Sequence, residues 1–530
     1  MSTTKIPYHK TGFYSNLIVD YLKESEGISQ YYHRFPKLEN FKLQLEEKHN
    51  SYDHSIRQPL VEVLKEQYET LEISEFTKEN IEALSNNQSF TIVTGHQLNL
   101  FTGPLYFLYK IISTINLTEH LNVAYPEQRF VPIYWMATED HDFDEINYFN
   151  FQGRKVIWNS DQKGGVGRFS TEGLNEVSDL LKTAFGTSKK ANYLSNLFEK
   201  AYTTFPTLTE ATRFIANELF GEYGLVIIDA DDARLKKFLV PYCKNELLYH
   251  TADKNVTTTN ESFASKYKIQ VNPREINLFY LHDQLRERIV LEKGVYQVLN
   301  TELSFTESEI LDELEKHPER FSPNVLVRPL YQEVILPNLC YIGGGGELAY
   351  WLQLKSYFQD SKVVFPMLLL RNSAQIVTKK QRKKLKKLDI SFEELFLSQR
   401  DLIDQKVIEN SSLEIDFQDK IDFLKQQFAE LRETAGKTDK SFLNAVSAQE
   451  KKQINGLIHL QKRLLKAEKR RQNDLVHRIT KLQNAILPNQ KLEERQRNFS
   501  EYYLEYGKSL VPTLKESLDP LASSFTIIEF

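Results

Sequence analysis

The sequence predicts an α/β protein with a parallel sheet, followed by a helical coiled-coil domain. Before residue 375, short apolar runs alternate with amphipathic stretches, which is typical of βαβ units. After that point the strand-like runs stop, and residues 440–487 contain no proline and carry apolar residues at nearly heptad spacing. A chain of 530 residues is also too long for one hydrophobic core, so two or three domains are expected.

The change of pattern near residue 375 divides the chain. We expect a core at residues 1–375, with insertions at about 150–205 and 245–325, because the gaps there exceed what one crossover needs. Residues 376–515 are predicted to form the helical domain, in two or three long antiparallel helices. Residues 516–530 are predicted to be an apolar tail docked on the core.

Four apolar runs are predicted to be buried strands of the core. They are rich in β-branched and aromatic residues and short enough for strands rather than helices. The runs are Phe90–Thr94, Val131–Met136, Leu225–Asp229 and Val363–Pro366.

Composition limits the class of protein. Hydrophobic residues make up 41% and charged residues 26% of the chain, which is ordinary for a soluble globular protein. The net charge of −5 argues against a general nucleic-acid partner, and no apolar stretch is long enough to cross a membrane. The first residues lack the apolar region of a signal peptide. The two cysteines, Cys243 and Cys340, exclude a disulfide framework and a cysteine zinc site. A cytoplasmic protein is expected.

An acidic cluster follows the second predicted strand directly. Trp135 and Met136 lead into Glu139, Asp140, His141, Asp142, Asp144 and Glu145. Ligands of open parallel sheets bind beyond the carboxyl ends of the strands, so this junction is a candidate site. A solvated acidic loop is the alternative. The acids after the third strand, Asp229, Asp231 and Asp232, are interpreted as helix caps, with the binding of a ribose or a cation as the alternative.

A second candidate loop follows the first predicted strand. It contains Gly95, His96, Gln97 and Asn99, with Thr102 as the predicted N-cap of the next helix. An imidazole beside the unpaired N–H groups of a helix suits a phosphate or carboxylate. A turn histidine that bonds a backbone carbonyl is the alternative.

A third candidate loop is a run of four glycines, Gly343–Gly346, followed by Glu347 and Tyr350. Glycines let backbone N–H groups approach a ligand closely. A dehydrogenase fingerprint is disfavoured because no acid follows the next strand to hold a ribose. A flexible tight turn is the alternative. Arg328 and Arg371 are candidates for binding a carboxylate or for surface salt bridges.

Three motifs together resemble one family. Thr94–Gln97, Trp135–Asp142 and Gly343–Glu347 are similar to the motifs of the bacillithiol synthase (BshC) family, and the resemblance covers the whole chain. It implies a Rossmann-like core with helical insertions and a C-terminal coiled-coil domain, assembled as a homodimer through the helical domain. It also implies a cysteine ligase that adds L-cysteine to glucosaminyl-malate by amide bond formation, the last step of bacillithiol biosynthesis.

The implied reaction requires that the cysteine carboxylate be activated. ATP with Mg²⁺ is the simplest activating reagent. Within the resemblance, His96, His141 and Glu139 are assigned as catalytic. The residues assigned to bind substrate or nucleotide are Thr94, Gly95, Gln97, Asn99, Asp140, Asp142, Arg328, Gly343, Gly344, Gly345, Gly346, Glu347 and Tyr350. No residue is assigned as a metal ligand.

Two other functions remain open from the residues alone. The first is a metal-dependent hydrolase that uses the acidic loop at residues 139–145. The second is a nucleotide-binding coiled-coil assembly protein without catalysis. The basic run at residues 379–387 is interpreted as a solvated helix face rather than an RNA contact.

Overall fold

The structure is a computed structural model that describes residues 2–530. Its strands are β1 (Ser2–Pro7), β2 (Ser89–His96), β3 (Arg129–Met136), β4 (Tyr148–Phe151), β5 (Arg154–Ile157), β6 (Val226–Asp229), β7 (Leu278–His282), β8 (Leu285–Glu292), β9 (Val295–Val298), β10 (Ser304–Phe305), β11 (Phe321–Pro323), β12 (Asn338–Gly343), β13 (Met367–Leu370), β14 (Ala374–Val377) and β15 (Ser524–Glu529).

The helices are α1 (Asn16–Leu22), α2 (Phe41–Ser51), α3 (Arg57–Gln67), α4 (Glu75–Ala83), α5 (Tyr106–Ala124), α6 (Phe143–Ile146), α7 (Leu174–Phe185), α8 (Lys189–Thr204), α9 (Leu208–Phe220), α10 (Ala233–Lys236), α11 (Val240–Tyr249), α12 (Thr251–Phe263), α13 (Glu307–Lys316), α14 (Val327–Ile335), α15 (Gly345–Trp351), α16 (Lys355–Asp360), α17 (Lys379–Lys387), α18 (Gln399–Glu409), α19 (Gln418–Ala435), α20 (Lys440–Arg471), α21 (Asn473–Ile486), α22 (Phe499–Tyr506) and α23 (Leu510–Ser517). Among the described residues, none of these helices has the length and apolarity needed to cross a membrane.

A five-stranded parallel sheet forms the centre of the protein. Its strand order is β13-β12-β2-β3-β6, and every neighbouring pair is parallel. The chain moves outward from β2 in one direction to β3 and β6, and it returns on the other side of β2 to add β12 and β13. The carboxyl ends of β2 and β12 therefore flank a topological switch point, where ligands of such sheets bind. This sheet confirms the predicted Rossmann-like core.

The predicted strand at residues 363–366 is wrong by a few positions. The strand is β13, in which Met367 to Leu370 pair with Cys340 to Gly343 of β12. Phe365 instead packs its ring against Trp351 and Phe358. Val363–Phe365 resembles a strand because β-branched and aromatic residues also fill the apolar layer beside the sheet.

The expectation that strands stop near residue 375 is also wrong. The last strand, β15, lies between β1 and β14, antiparallel to the first and parallel to the second. Phe525, Ile527 and Ile528 of β15 are buried, so the predicted apolar tail is the middle strand of a three-stranded sheet.

A second sheet lies between β6 and β12 in the chain. Its five strands are antiparallel in the order β10-β9-β8-β7-β11. These strands were not predicted from the sequence, because β8 carries Arg286, Glu287 and Arg288 in succession and lacks a continuous apolar run. Its charged side chains become important because β7 and β8 border the cleft described below.

The helical region, defined here as α17 to α23, contains the predicted coiled coil. Helices α19 and α20 are joined by a four-residue connection and form a hairpin whose small core contains Phe428, Ala435 and Val446. Arg432 and Glu450 form an ion pair across the hairpin at 2.8 Å. Together with the parallel sheet, this hairpin confirms the predicted fold class.

A short turn at residues 493–495, between α21 and α22, packs the helical region against the core. The buried Glu493 carboxylate accepts a hydrogen bond from the Ile376 N–H at 2.5 Å and another from the Tyr502 hydroxyl. Burial raises the pKa of the Glu493 carboxyl to about 7, although Arg497 acts in the opposite direction. The contact between the two parts of the chain therefore contains a group that titrates near neutral pH.

Replacing Glu493 with glutamine is expected to remove a pH-dependent loss of stability. The folded pKa of about 7 exceeds the unfolded value of about 4.3. The protonated carboxyl thus contributes stability that is fully present below the unfolded pKa and is lost as the pH rises through the folded pKa. The loss is at most about 3–4 kcal/mol. Urea unfolding at about pH 5 and about pH 8 should show it in the natural chain and not in Glu493→Gln. An equal pH dependence in both proteins would contradict this.

Candidate active site at the switch point of the sheet

One large cleft opens at the carboxyl ends of the central strands, with a volume of about 820 Å³. The ends of β2, β3 and β12 form its floor, and the antiparallel sheet forms one wall through β7 and β8. Helix α14 and the turn at residues 493–495 contribute one arginine each, Arg328 and Arg495. All three loops that the sequence analysis singled out contribute residues to this cleft.

A buried ion pair lies at the switch point itself. The Lys110 Nζ of α5 donates to the Gly95 carbonyl at 2.5 Å and lies 2.7 Å from the Glu347 carboxylate. The same carboxylate accepts hydrogen bonds from the Tyr341 hydroxyl at 2.7 Å and the Gly344 N–H at 2.8 Å. These contacts join the ends of β2 and β12 to the first turn of α15.

The charges of this pair are set by competing effects. Burial alone would raise the pKa of Glu347, but the Lys110 charge and the donated hydrogen bonds outweigh it and lower that pKa. Burial lowers the pKa of Lys110 from its usual value even though Glu347 opposes this shift. Glu347 is therefore ionised, and it occupies the Gly344 N–H that the sequence analysis had reserved for a ligand.

His96 ends β2 and is 7% exposed. Its ring packs edge-on to Tyr106 at 5.5 Å and lies 5.2 Å from the ring of Phe107. Burial, with the nearby charges of Lys110 and Arg371, lowers the His96 pKa well below its usual value. The imidazole is neutral at physiological pH, and among the described residues its Nε2 has no hydrogen-bond partner.

The predicted helix start beside His96 is wrong. Helix α5 begins at Tyr106, and Thr102 lies in a short turn with φ 68°. Thr102 therefore does not cap α5. Instead, Asn498 of the helical region donates its amide to the carbonyls of Phe101 and Gly103. Contacts from distant parts of the chain determine this turn.

The acidic loop forms ion pairs with the core. The Glu139 carboxylate lies 2.7 Å from Lys236 Nζ, which is fully buried and lies 3.1 Å from Asp231. Burial, opposed by Lys236, raises the pKa of Glu139. Asp232 caps α10 by accepting from the Arg234 N–H, as predicted, whereas Asp231 belongs to this ion-pair chain.

The exposed end of the loop makes different contacts. Gln97 donates its amide to Asp140 at 2.9 Å and to Glu145 at 3.0 Å. His141 Nδ1 lies 2.5 Å from the Arg286 guanidinium. An arginine only donates, so Nδ1 accepts and the neutral ring carries its proton on Nε2. Among residues 2–530, no group of three or more His, Cys, Asp or Glu side chains converges as metal ligands do.

Within the glycine run, two glycines are packing positions. A Cβ at Gly343 would meet atoms of Tyr341, Glu347 and Leu348 at 2.9 to 3.0 Å, and one at Gly345 would meet Ile18 at 3.3 Å. Gly344 and Gly346 line the cleft.

Substitutions in the glycine run are expected to separate these roles. Gly343→Ala should destabilise the protein by about 1–3 kcal/mol, because core atoms must move. Gly346→Ala is the matched control: its Cβ meets nothing within 4 Å, and alanine favours the helix by up to about 1 kcal/mol. Urea unfolding measures both, and equal effects would contradict the packing role.

The cleft is strongly cationic although the chain is acidic. Seven basic residues line it, against four acidic ones. The basic residues are Lys110, Arg274, Arg286, Arg288, Arg328, Arg371 and Arg495. In the described part of the chain, Arg274, Arg288, Arg328 and Arg495 lie beyond 4 Å from every carboxylate. Arginines without an acidic partner in a cleft suit anionic ligands.

Most of the residues predicted from the sequence meet in this cleft, and four do not. Those that line it are Gly95, His96, Gln97, Glu139, Asp140, His141, Asp142, Arg328, Gly344, Gly346, Glu347 and Tyr350. Thr94, Asn99, Gly343 and Gly345 do not line it. The Thr94 hydroxyl donates to the Ile342 carbonyl and the Asn99 amide to the Glu145 carbonyl, so both side chains bond the backbone.

Several residues of the cleft were not predicted from the sequence. Lys110 could have been noticed as the lone charge in the buried stretch Phe107–Thr118 of α5. Arg274, Arg288 and Arg495 gave no signal, because they reach the cleft from the segment before β7, from β8 and from a turn about 120 residues beyond the core strands.

Comparisons with known proteins agree with this architecture. The family model described as "Bacillithiol biosynthesis BshC, N-terminal Rossmann-like domain" matches residues 1–372, and that described as "Bacillithiol biosynthesis BshC, C-terminal coiled-coil domain" matches residues 374–530. The chain belongs to the BshC family. A relative from Christiangramia forsetii is 58% identical, over 100% of this chain and 99% of its own length. Relatives from Flavobacterium psychrophilum and Flavobacterium johnsoniae are 55% and 54% identical, over 100% of both chains. All three BshC relatives bear the name "Putative cysteine ligase BshC".

Proposed function

We propose that the protein is a ligase that joins L-cysteine to the amine of glucosaminyl-malate by an amide bond, in the last step of bacillithiol biosynthesis. Membership of the BshC family and the names of its relatives support the reaction class. The observation that carries the assignment to this site is the cleft itself: unpaired arginines and a neutral histidine line the same cavity at the switch point of the sheet.

The charges of the cleft match these substrates. Cysteine carries one carboxylate and the malyl group carries two, which arginines bind well. Arg328 is suited to one of them, because its guanidinium lies 5.9 Å from the rings of Trp135 and Tyr341 and has no carboxylate partner among the described residues. Asp140 and Asp142, which also line the cleft, suit the cysteine ammonium.

Amide formation requires that an oxygen leave the cysteine carboxylate. We propose that ATP, entering with Mg²⁺, accepts that oxygen: the carboxylate attacks the α-phosphorus, pyrophosphate leaves, and a cysteinyl adenylate forms. The sugar amine then attacks the acyl carbon, and AMP leaves with the carboxylate oxygen. The lysine and arginines around His96 would balance the charge of the phosphates.

One proton must leave the attacking amine, and His96 is the favoured acceptor. Its ring is neutral and its Nε2 is unpartnered in the described chain. His141 is less suited, because Arg286 holds its Nδ1 and leaves the proton on Nε2. Glu139 is less suited because Lys236 pairs with its carboxylate.

The helical region is proposed to form a homodimer through the α19–α20 hairpin. Phe423, Leu431, Phe442 and Leu460 on these helices are 50% to 64% exposed, which suits a second copy. Leu460→Glu should shift the mass measured by analytical ultracentrifugation from dimer to monomer. Leu413→Glu, at an equally exposed leucine outside the hairpin, is the control and should remain dimeric. A dimer in both variants would contradict this interface.

The reaction is tested with the purified chain, cysteine, glucosaminyl-malate and ATP with Mg²⁺, each omitted in turn. Mass spectrometry should detect the cysteinyl amide only in the complete mixture, together with AMP. Hydrolysis of glucosaminyl-malate without amide would indicate a hydrolase and contradict the proposal. Amide formation without ATP would retain the ligation and refute the proposed activation.

A further inference from the structure

A corner of the cleft contains a buried arginine that is only partly satisfied. Arg371 is 3% exposed, and its Nη2 lies 2.7 Å from the Glu494 carboxylate. Its Nη1 donates to the Asn372 carbonyl and the Ser373 hydroxyl. Its Nε lacks a hydrogen-bond partner in the described chain, although a buried N–H without one is costly. A ligand oxygen would satisfy it.

The backbone beside Arg371 leaves room for such an oxygen. A Cβ at Gly344 would lie 3.7 Å from Arg371 Nε and 3.4 Å from Glu347 Oε2. Gly344 has φ −75° and ψ 169°, which any residue adopts. Its lack of a side chain is therefore not required by the backbone conformation, and it keeps the approach to the guanidinium open.

A second arginine meets the same corner from the helical region. The Arg495 guanidinium lies 5.7 Å from the centre of the Tyr106 ring, and the Arg371 guanidinium lies 4.9 Å from it. Tyr106 also contacts His96 edge-on. Arg495 is exposed and has no acidic partner within 4 Å among residues 2–530. Both guanidinium groups therefore lie against the Tyr106 ring, which itself contacts the imidazole.

Two glutamates anchor the turn that carries Arg495 to the backbone of β14. Glu493 accepts the Ile376 N–H, and Glu494 accepts the Ala374 N–H at 3.2 Å in addition to its pairing with Arg371. Both carboxylates are at most 1% exposed. The helical region thus fixes Arg371 and presents Arg495 through one turn, which is a preorganised arrangement.

We propose that Arg371 and Arg495 form a subsite for a substrate oxyanion, and that the helical region thereby completes the cleft rather than serving only in assembly. The identity of the oxyanion rests on the proposed function, which offers two sources with the same chemistry: a malyl carboxylate and a nucleotide phosphate. Two guanidinium groups bind either one by charge-assisted hydrogen bonds.

The subsite is tested by calorimetric titration of the full-length protein with L-malate and, separately, with pyrophosphate. Arg495→Gln should weaken the binding of at least one probe by about ten- to a hundred-fold. Gly344→Ala should weaken the same probe by obstructing Arg371. Arg470→Gln removes the same charge from an exposed position of the helical region and should bind like the natural chain.

Each result of these titrations either identifies the bound oxyanion or overturns the subsite. Weakening of malate alone assigns the subsite to a carboxylate, and weakening of pyrophosphate alone assigns it to a phosphate. Unchanged binding in Arg495→Gln, or no binding of either probe by the natural chain, overturns the subsite. The proposed ligation is scored separately by amide production in the natural chain. Amide production with unchanged anion binding would refute the subsite alone, and the reverse would refute the ligation alone.

Discussion

Replacing His96 with alanine is expected to lower kcat for amide formation by about 10²- to 10⁴-fold, the usual contribution of a general base. His96 lines the cleft with a buried Nε2 that lacks a partner in the described chain, and its lowered pKa keeps the ring neutral. KM for both substrates should change little, because a base acts on the attacking amine rather than on the bound carboxylates. Steady-state kinetics with a mass-spectrometric product assay measures both parameters.

His141→Ala is the matched control for this prediction. His141 lines the same cleft, but Arg286 holds its Nδ1, so its loss should reduce kcat by less than about tenfold. Unfolding curves of both variants should resemble that of the natural chain. A folded His96→Ala protein with kcat near that of the natural chain would refute His96 as the base.

Replacing Lys48 with methionine is expected to destabilise the protein by about 3–5 kcal/mol, because it leaves a buried charge without its partner. Lys48 Nζ lies 3.2 Å from the Glu333 carboxylate, and the side chains are 2% and 0% exposed. Burial already raises the pKa of Glu333 against the effect of Lys48. Urea unfolding gives the difference in free energy.

Lys316→Met provides the control for a surface pair. Lys316 and Asp312 lie one helical turn apart at 2.6 Å, with side chains 65% and 61% exposed, and solvent screens such a pair, so its loss should change stability little. Equal losses in the free energy of unfolding for the two substitutions would contradict the claim that burial makes the Lys48–Glu333 pair important.

The central strands were predictable because their residues have one dominant environment. β2, β3 and β6 are buried almost throughout, so β-branched and aromatic residues mark them. β8 has one half-exposed residue after another and borders a polar cleft, so its arginines hide the strand. β15 was misread because it pairs with β1 and β14, which lie some 520 and 150 residues away in the chain, respectively.

The candidate site was predictable only where its residues follow a strand. His96, Asp140 and Glu347 follow strands, and the rule that carboxyl ends of parallel strands share one edge brings them together. That rule does not predict Lys110, which lies inside a buried helix, or Arg495, which lies in a turn far along the chain. The partners of these residues come from tertiary packing that local patterns do not encode.

The most direct measurement follows the oxygen atoms of cysteine. Cysteine labelled with ¹⁸O in both carboxylate oxygens is incubated with the protein, glucosaminyl-malate and ATP with Mg²⁺, and the products are analysed by mass spectrometry. Activation and amide formation in the cleft predict one labelled oxygen in the amide and the other in AMP. Labelled cysteine recovered intact, with neither a labelled amide nor labelled AMP, would contradict the proposed ligase.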